Sequence, residues 1–324
     1  MSLKVKGIIL FLIFTIIILL FSSFIGPTQI SLKEINTDRT LKYIYFNIRI
    51  PRVLLGFFTG IILSVAGLIF QTLFKNPLVS PFTLGISSSA SSGVFLAIKL
   101  GLGGFFLGIF SQSQLFATGF SIISIFLVFY ISVKRGDMNF NTALLAGISL
   151  NFLFSSLILI LHFLSTPEES FEYFKWLFGS LETDGYSAVL LLFILSLLLV
   201  GVFFILGREL DLIAISEEMA ISKGVEVKKI KIFSFIFIST VVAILVSFTG
   251  PIAFIGLIVP HMAKAFRVYR HRELVFITLF FGGIIIVISD AIARSLVSPA
   301  EIPIGIITTL FGVPFMIYLI NSKR

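Results

Sequence analysis

Long apolar stretches without a charged residue alternate with short polar segments along almost the whole chain. A transmembrane helix needs about 20 predominantly apolar residues, and most of these stretches are at least that long. The stretch at 232–263 is divided by Gly250 and Pro251, because proline has no N–H to donate within a continuing helix. The charge-free stretches are 7–32, 53–74, 76–98, 100–133, 138–167, 185–207, 232–263, 274–289 and 302–322.

This pattern predicts an all-α integral membrane protein with about ten transmembrane helices. Hydrophobic residues make up 57% of the chain and charged residues 12%, which lies outside the composition of soluble domains. The longest polar segments, near 28–52, 165–185 and 208–231, are too short to fold separately, so residues 1–324 are predicted to form one transmembrane domain. The predicted helix centres are Ile13, Leu63, Phe95, Phe126, Phe154, Leu195, Ile238, Ile258, Gly282 and Phe311.

The first apolar stretch follows Lys4 and Lys6, an arrangement that also occurs in secretory signal peptides. It lacks a small-residue cleavage site, so we interpret it as a retained first helix. The chain contains no cysteine, which excludes disulfides, thiolate ligands and cysteine nucleophiles.

The basic residues assign an orientation to the predicted helices. With both termini in the cytoplasm, sixteen of the 24 Lys and Arg residues lie at cytoplasmic ends and loops, as the positive-inside rule requires. The net charge of +8 is therefore explained without a nucleic-acid partner. The eight basic residues on the outer side are Lys33, Arg39, Lys42, Arg49, Arg52, Lys99, Lys175 and Arg294.

The polar segment at about 208–231 carries a helix pattern on the cytoplasmic side. Ser216 followed by Glu217 and Glu218 is typical of a helix N-terminus, where a hydroxyl caps and acids favour the helix dipole. Gly224 is placed to end that helix. The segment is therefore predicted to form two short helices on the cytoplasmic face, with a solvated connector as the alternative.

Several chemical functions have no matching residues in the chain. It contains no G-x-x-x-x-G-K-[ST] loop for ATP phosphates, and its three histidines are not at metal-ligand spacing. Gly85-Ile86-Ser87 lacks the following glycine of a serine hydrolase motif. A membrane enzyme is therefore disfavoured. An ion-coupled secondary transporter is also disfavoured, because charge within the predicted membrane segments is nearly absent.

Glycines and serines within the predicted helices indicate close helix packing. Small residues let helix backbones approach within a membrane. We expect such contacts at the residues Gly56, Gly60, Gly67, Gly85 and Gly93, and along 87–92.

Several ordered motifs between Arg49 and Phe315 resemble the FecCD-type family of ABC importer permeases for iron–siderophore complexes, haem and vitamin B12. The resemblance implies the fold of the vitamin B12 importer permease and a subunit that is not itself an enzyme. It also implies no cofactor in this chain, with ATP and Mg bound by a separate ATPase. The motifs are R-I-P-R at 49–52, K-N-P-L-V-S-P at 75–81, T-G-P-I-A-F-I-G-L-I-V-P-H at 249–261, D-A-I-A-R at 290–294 and A-E-I-P-I-G at 300–305.

Two constrictions of the transport pathway are implied by the same resemblance. The family has a gate at the N-P-L turn, here Asn76 and Leu78, where Pro77 prevents a regular helix. A second gate would lie at Asn139 and Phe140, although the family usually has small hydroxyl residues there. The alternative for Asn76 is a structural role in which its side chain only positions the turn.

Contacts with partner chains are implied at both faces. On the cytoplasmic side, Ser216, Glu217, Ala220 and Gly224 would form the element that docks into the ATPase. On the outer side, arginines at the family's R-x-P-R and D-x-x-A-R positions pair with glutamates of a substrate-binding protein. Those arginines are Arg49 and Arg294 here, and the alternative for Arg294 is an ion pair with Asp290 at i, i+4. Arg52 is instead expected to pack or to contact a lipid headgroup.

The sequence thus predicts a multi-pass permease subunit in the cell membrane, within an ATP-driven importer for an iron chelate such as a siderophore or haem. Its implied partners are membrane lipid, a second permease chain of the same or a related kind, two ATPase subunits and an external binding protein. A cobalamin importer of the same family and an ion-coupled secondary transporter are the alternatives.

Overall fold

A computed structural model of the chain describes residues 3–27, 30–31, 34–102, 106–107, 109–134, 137–297 and 300–322. Four of the basic residues used above to assign orientation, Lys33, Arg135, Lys323 and Arg324, lie outside the described residues. The described chain is almost entirely helical, as the apolar pattern predicts.

The α-helices within the described ranges are numbered in chain order. They are α1 (Leu3–Phe24), α2 (Glu34–Thr37), α3 (Arg39–Tyr43), α4 (Ile50–Leu73), α5 (Ile86–Lys99), α6 (Gln112–Ser132), α7 (Phe140–Phe163), α8 (Pro167–Leu177), α9 (Ser187–Ile205), α10 (Gly207–Ile215), α11 (Glu217–Ser222), α12 (Val227–Thr249), α13 (Ile255–Ala265), α14 (His271–Ser295) and α15 (Ile304–Ser322).

Short irregular or extended elements connect these helices. A π-helical stretch, Ile44–Arg49, joins α3 to α4, and a 3₁₀ turn, Pro81–Leu84, precedes α5. Two antiparallel pairs of two-residue strands complete the described elements. They are β1 (Phe106–Leu107) with β2 (Phe110–Ser111), and β3 (Val133–Lys134) with β4 (Asp137–Met138).

All ten predicted helix centres lie inside α-helices, namely α1, α4, α5, α6, α7, α9 and α12 to α15. Six described helical segments are long and apolar enough to cross a membrane: Arg39–Leu73, Gln112–Ser132, Phe140–Phe163, Ser187–Ile205, Val227–Thr249 and His271–Ser295. Shorter apolar helices cover Phe11–Phe24, Ile255–Ala265 and Ile304–Tyr318. The break predicted at Gly250 and Pro251 is confirmed, because α12 ends at Thr249 and α13 begins at Ile255.

The helix α4 lies at the centre of the fold and is buried along most of its length. It packs most extensively on α14 and also contacts α13, α9 and α12. A Cβ atom at Gly60 would overlap the backbone of Gly282 in α14, and one at Gly67 would overlap Gly256 in α13. The close packing expected from the sequence is therefore confirmed at these two glycines, where helix backbones touch.

Replacing Gly60 by alanine should force α4 and α14 apart, because the atoms that the new methyl group meets belong to the backbone. We expect Gly60→Ala to lower the free energy of unfolding by about 1–3 kcal/mol, as overpacking does in other cores. The measurement is the thermal unfolding midpoint of the purified chain in detergent. Gly201→Ala in α9 is the matched control, since no atom lies within 4 Å of the added Cβ. Equal midpoints for the two variants would contradict the packing role of Gly60.

Candidate functional site

The polar segment at 208–231 folds as two short helices, α10 and α11, as predicted. Ser216 lies between them, and its hydroxyl accepts a hydrogen bond from the N–H of Met219, 3.3 Å away, so it caps α11. Ala220 is fully buried and packs with Ile213 of α10 and Val227 of α12. The two helices are therefore held together by a small apolar core of their own, with α11 joined to the start of α12.

The end of α11 depends on the left-handed backbone of Gly224, which has a φ of 81°. Beyond this residue the N–H of Val225 bonds to the carbonyl of Ala220 at 3.0 Å, which closes the last turn of the helix. A residue with a side chain would be strained in this conformation. The helix stop predicted at Gly224 is thus confirmed.

The first candidate gate turn follows the C-terminal end of α4. The Asn76 side-chain oxygen accepts the N–H of Leu78 at 2.9 Å, so Asn76 does position the turn. Lys75 just before it has a φ of 48°, a left-handed conformation that is uncommon for a residue with a side chain. The Leu78 side chain is 54% exposed on the surface of the chain, where a second subunit or a substrate could contact it.

The second candidate gate turn lies beside the first. Asn139 is exposed, and its side chain caps α7 by accepting the N–H of Thr142 at 3.0 Å. Phe140 is buried, and its ring centroid lies 4.3 Å from that of Phe74 at the end of α4. The structure therefore brings the two turns together, with Asn139 at the surface and Phe140 packed beneath it.

The last turns of α4 are hydrogen-bonded to α13. The side-chain amide of Gln71 donates to the carbonyls of Gly256 at 3.3 Å and Leu257 at 3.2 Å, and its oxygen accepts from Lys264 at 3.3 Å. Buried polar side chains of this kind fix the position of one helix against another, because each would be costly if left without a hydrogen-bond partner.

A histidine links α10 to the same end of α4. The His271 ring contacts the Asp211 carboxylate at 2.7 Å through Nδ1 and the Thr72 hydroxyl at 2.9 Å through Nε2. The backbone N–H of His271 also donates to Asp211 at 2.8 Å, so Asp211 caps α14. Sequence reasoning missed this connection because its members are 60 and 199 residues apart and follow no motif.

A cluster of buried charges joins the N-terminal end of α4 to the C-terminal part of α14. Arg52 contacts Asp290 at 3.0 Å and Glu301 at 2.7 Å, while Arg294 contacts the other oxygen of Asp290 at 2.9 Å. The Asp290 and Arg294 side chains are each 2% exposed. The i, i+4 pair considered for Arg294 is therefore present, and Arg52 makes ion pairs within the chain instead of only packing or contacting lipid.

Arg49 and Arg294, which the sequence predicts to contact a binding protein, are both buried within the chain. Arg49 is 5% exposed and donates to the carbonyl of Phe24 at 2.9 Å, and Arg294 is bonded to the carbonyls of Ser22 and Ile25. Both guanidinium groups thus satisfy the free carbonyls at the C-terminal end of α1, where cations are favoured. Contact of these arginines with a binding protein stays a prediction, and in this conformation neither side chain is accessible to one.

An open cavity of about 350 Å³ lies beside this cluster, and its lining combines charged residues such as Arg52, Glu182 and Glu301 with Trp176 and other apolar residues. Its wall includes α8, which is tied to the end of α5 by an ion pair of 2.9 Å between Glu169 and Lys99. The hydrogen bond from Lys99 and the backbone N–H of Thr166 hold the pKa of Glu169 below its usual value. The ion pair between Glu169 and Lys99 is therefore present at neutral pH. It is lost as the pH falls through the lowered pKa of Glu169.

In the described part of the chain, no group of three His, Cys, Asp or Glu residues could hold a metal ion. The geometry consists of the helix pair α10 and α11, two adjoining turns, and the central helix α4, which contacts α10 and leads into the first turn.

Comparison with known proteins gives the class of this chain. Residues 11–322 match the model of the FecCD transport family, so the chain belongs to that family of ABC transporter permeases and is a multi-pass protein of the cell membrane. It is 32% identical to the hemin transport system permease protein HmuU of Yersinia pestis, over 97% of this chain and 94% of that protein. The molybdate import system permease protein MolB of Haemophilus influenzae is also 32% identical, over 89% and 84% respectively.

A solved structure has the same fold. It is an inward-facing conformation of an ABC transporter of the metal-chelate type, with a TM-score of 0.82 and 28% identity. The similarity covers 97% of this chain and 99% of that chain. The family predicted from the ordered motifs is therefore confirmed.

Neutralising Asp290 should destabilise the packing of α4 on α14, because Arg52 and Arg294 would keep their charges in a buried site without this carboxylate. Removing one partner of a buried ion pair costs about 3–5 kcal/mol. We therefore expect Asp290→Asn to lower the thermal midpoint of the purified chain strongly. Asp184→Asn is the control, since Asp184 is exposed and accepts a hydrogen bond from Tyr43. A midpoint for Asp290→Asn equal to that of the control would show that the cluster does not hold the helices.

Proposed function

We propose that this chain is the permease subunit of an ATP-driven importer for an iron chelate, either a siderophore complex or haem. It works as a dimer with a second permease chain, the same or a related one. Two ATPase subunits hydrolyse ATP on the cytoplasmic side, and an external binding protein delivers the substrate. This chain supplies half of the passage and catalyses no reaction itself.

The observation that carries this proposal is the pair of helices α10 and α11 at the inner end of α4. A capped two-turn helix with its own buried core, at Ala220, is a rigid unit that another protein can push. The same region contacts α4 within a few residues of the turn at Asn76 and Leu78. Movement imposed on α10 and α11 can thereby reach the candidate gates, while the ATP itself is bound elsewhere.

The membrane topology follows from the same proposal. We place about ten spans in the membrane, with the six long apolar helices supplemented by the shorter helices α1, α5, α13 and α15. Both termini and the α10–α11 pair face the cytoplasm, as the basic residues favour. The candidate gates then lie at the cytoplasmic mouth and the Arg52 cluster at the outer one.

The substrate class is supported by the relatives and by the character of one surface groove. HmuU is named for hemin, and the solved structure for metal chelates. A groove of about 540 Å³, lined mainly by apolar residues including Pro251, Ile306 and Leu310, runs beside α15. We propose that it forms part of a weakly selective passage wall. Selectivity would then reside in the binding protein, and cobalamin is the alternative cargo within the family.

Uptake by the assembled transporter tests the proposed function. The chain is reconstituted in proteoliposomes with its ATPase and binding-protein partners, and radiolabelled ferric siderophore, haem, cobalamin and molybdate are offered separately. We expect ATP-dependent accumulation of an iron chelate and none of molybdate, with accumulation abolished by a catalytically inactive ATPase. Uptake driven by an ion gradient through this chain alone would contradict the proposal and favour a secondary transporter.

Shortening Leu78 should weaken the inner gate, because an exposed leucine at a constriction excludes water and solute by its apolar bulk. We expect Leu78→Ala to increase ATP-independent leakage of preloaded substrate from proteoliposomes several-fold. Leu100→Ala at the outer end of α5 is the matched control, because Leu100 is similarly exposed, at 57%. Leakage from Leu78→Ala at the control rate would remove Leu78 from the gate.

A further inference from the structure

The carboxylate of Glu217, the first residue of α11, lies between two lysines from different parts of the chain. One of its oxygens is 2.6 Å from the ammonium of Lys231 in α12, and the other is 3.9 Å from that of Lys75. Lys75 directly precedes Asn76 in the first candidate gate turn. A single side chain of α11 therefore reaches the backbone segment that forms this turn.

The Lys231 side chain leads to the second turn. It is 8% exposed, and its ammonium lies 5.3 Å from the ring centroid of Phe140, the first residue of α7. A cation over an aromatic face is attracted by the ring quadrupole, most strongly where water is excluded. The ring of Phe140 in turn packs on Phe74, which precedes Lys75. A series of side-chain contacts therefore runs from Lys75 through Glu217, Lys231 and Phe140 to Phe74, the residue that precedes Lys75 in the chain.

The two ionic contacts differ in strength. A buried ammonium is costly unless it is paired, so the contact between Lys231 and Glu217 is required by the burial of Lys231. Lys75 is 48% exposed, and its longer contact is of the kind that contributes little to stability. The role that we consider for the contact between Glu217 and Lys75 is therefore to pass a displacement of α11 to Lys75, and not to stabilise the fold.

We propose that Glu217 and Lys231 are positioning residues that transmit the movement of α11 to both candidate gate turns. When α11 is displaced, Glu217 pulls on Lys75 beside the first turn and, through Lys231, on Phe140 at the second. The two turns then move together, since Phe74 and Phe140 are already packed against each other. This inference rests on the proposed function, because it assumes that an ATPase displaces α11.

The test is the number of substrate molecules transported per ATP hydrolysed by the reconstituted complex. Glu217→Gln and Lys231→Met should each lower this ratio about tenfold, within the usual range of coupling between sites. Transport and hydrolysis are both measured per bound ATPase, because Glu217 belongs to the element expected to dock into the ATPase. The matched controls are Glu218→Gln and Lys228→Met, which change exposed neighbours and should leave the ratio unchanged.

A double variant shows whether Glu217 and Lys231 act through the same contact or affect coupling independently. Because both residues act in one contact, Glu217→Gln combined with Lys231→Met should lower the ratio no further than either change alone. If the double variant lowers the ratio by the product of the two single reductions, the proposal is overturned. A wild-type ratio in either single variant would overturn it too. A fall in transport that only follows a loss of bound ATPase, with the ratio unchanged, would overturn it as well.

If Lys231→Met does not fold, a covalent link can replace the ionic contact between Lys75 and Glu217. The chain has no cysteine, so a Lys75→Cys/Glu217→Cys variant can be linked selectively by a short bismaleimide. We expect the unlinked variant to be uncoupled and the linked variant to regain coupling, whereas an unlinked variant that stays coupled would contradict the role of Glu217. A wild-type complex without ATP-dependent uptake would instead refute the proposed function itself.

Discussion

Backbone contact between α4 and its neighbours is the constraint on which the rest of the structure depends. Gly60 and Gly67 let α14 and α13 approach α4 more closely than any side chain would allow. With the helices this close, Gln71 reaches the carbonyls of α13, and Arg52 reaches Asp290 of α14. Polar groups that would be costly in a membrane therefore find partners because the glycines set the distance first.

The two ends of α4 serve different purposes. At its N-terminal end, buried ion pairs and the carbonyls of α1 hold three arginines, which fixes α1, α4 and α14 relative to one another. At its C-terminal end, α10 reaches Thr72 through His271, and α11 reaches Lys75 through Glu217. Under the proposed function, a helix anchored at one end in this way would pass movement at its other end to the turn that follows it.

Features that depend on neighbouring residues in the chain were predictable, and those that join distant segments were not. The break at Gly250 and Pro251 and the cap at Ser216 follow from local backbone chemistry. The burial of Arg294 was not predictable, because charge counts assign a side of the membrane and say nothing about burial. Its contact with the carbonyl of Ser22, 272 residues away, follows no periodicity or motif.

If ATP acts on the turn at Asn76 through α10 and α11, as proposed, the accessibility of that turn should depend on ATP. Pro77 is exposed, so a Pro77→Cys variant of this cysteine-free chain carries one reactive thiol per copy. The measurement is the rate at which a membrane-impermeant maleimide modifies this thiol from the cytoplasmic side of the assembled complex, with and without ATP. We expect ATP binding to change the rate of maleimide modification clearly. A rate that ATP leaves unchanged while ATP-driven uptake continues would contradict it.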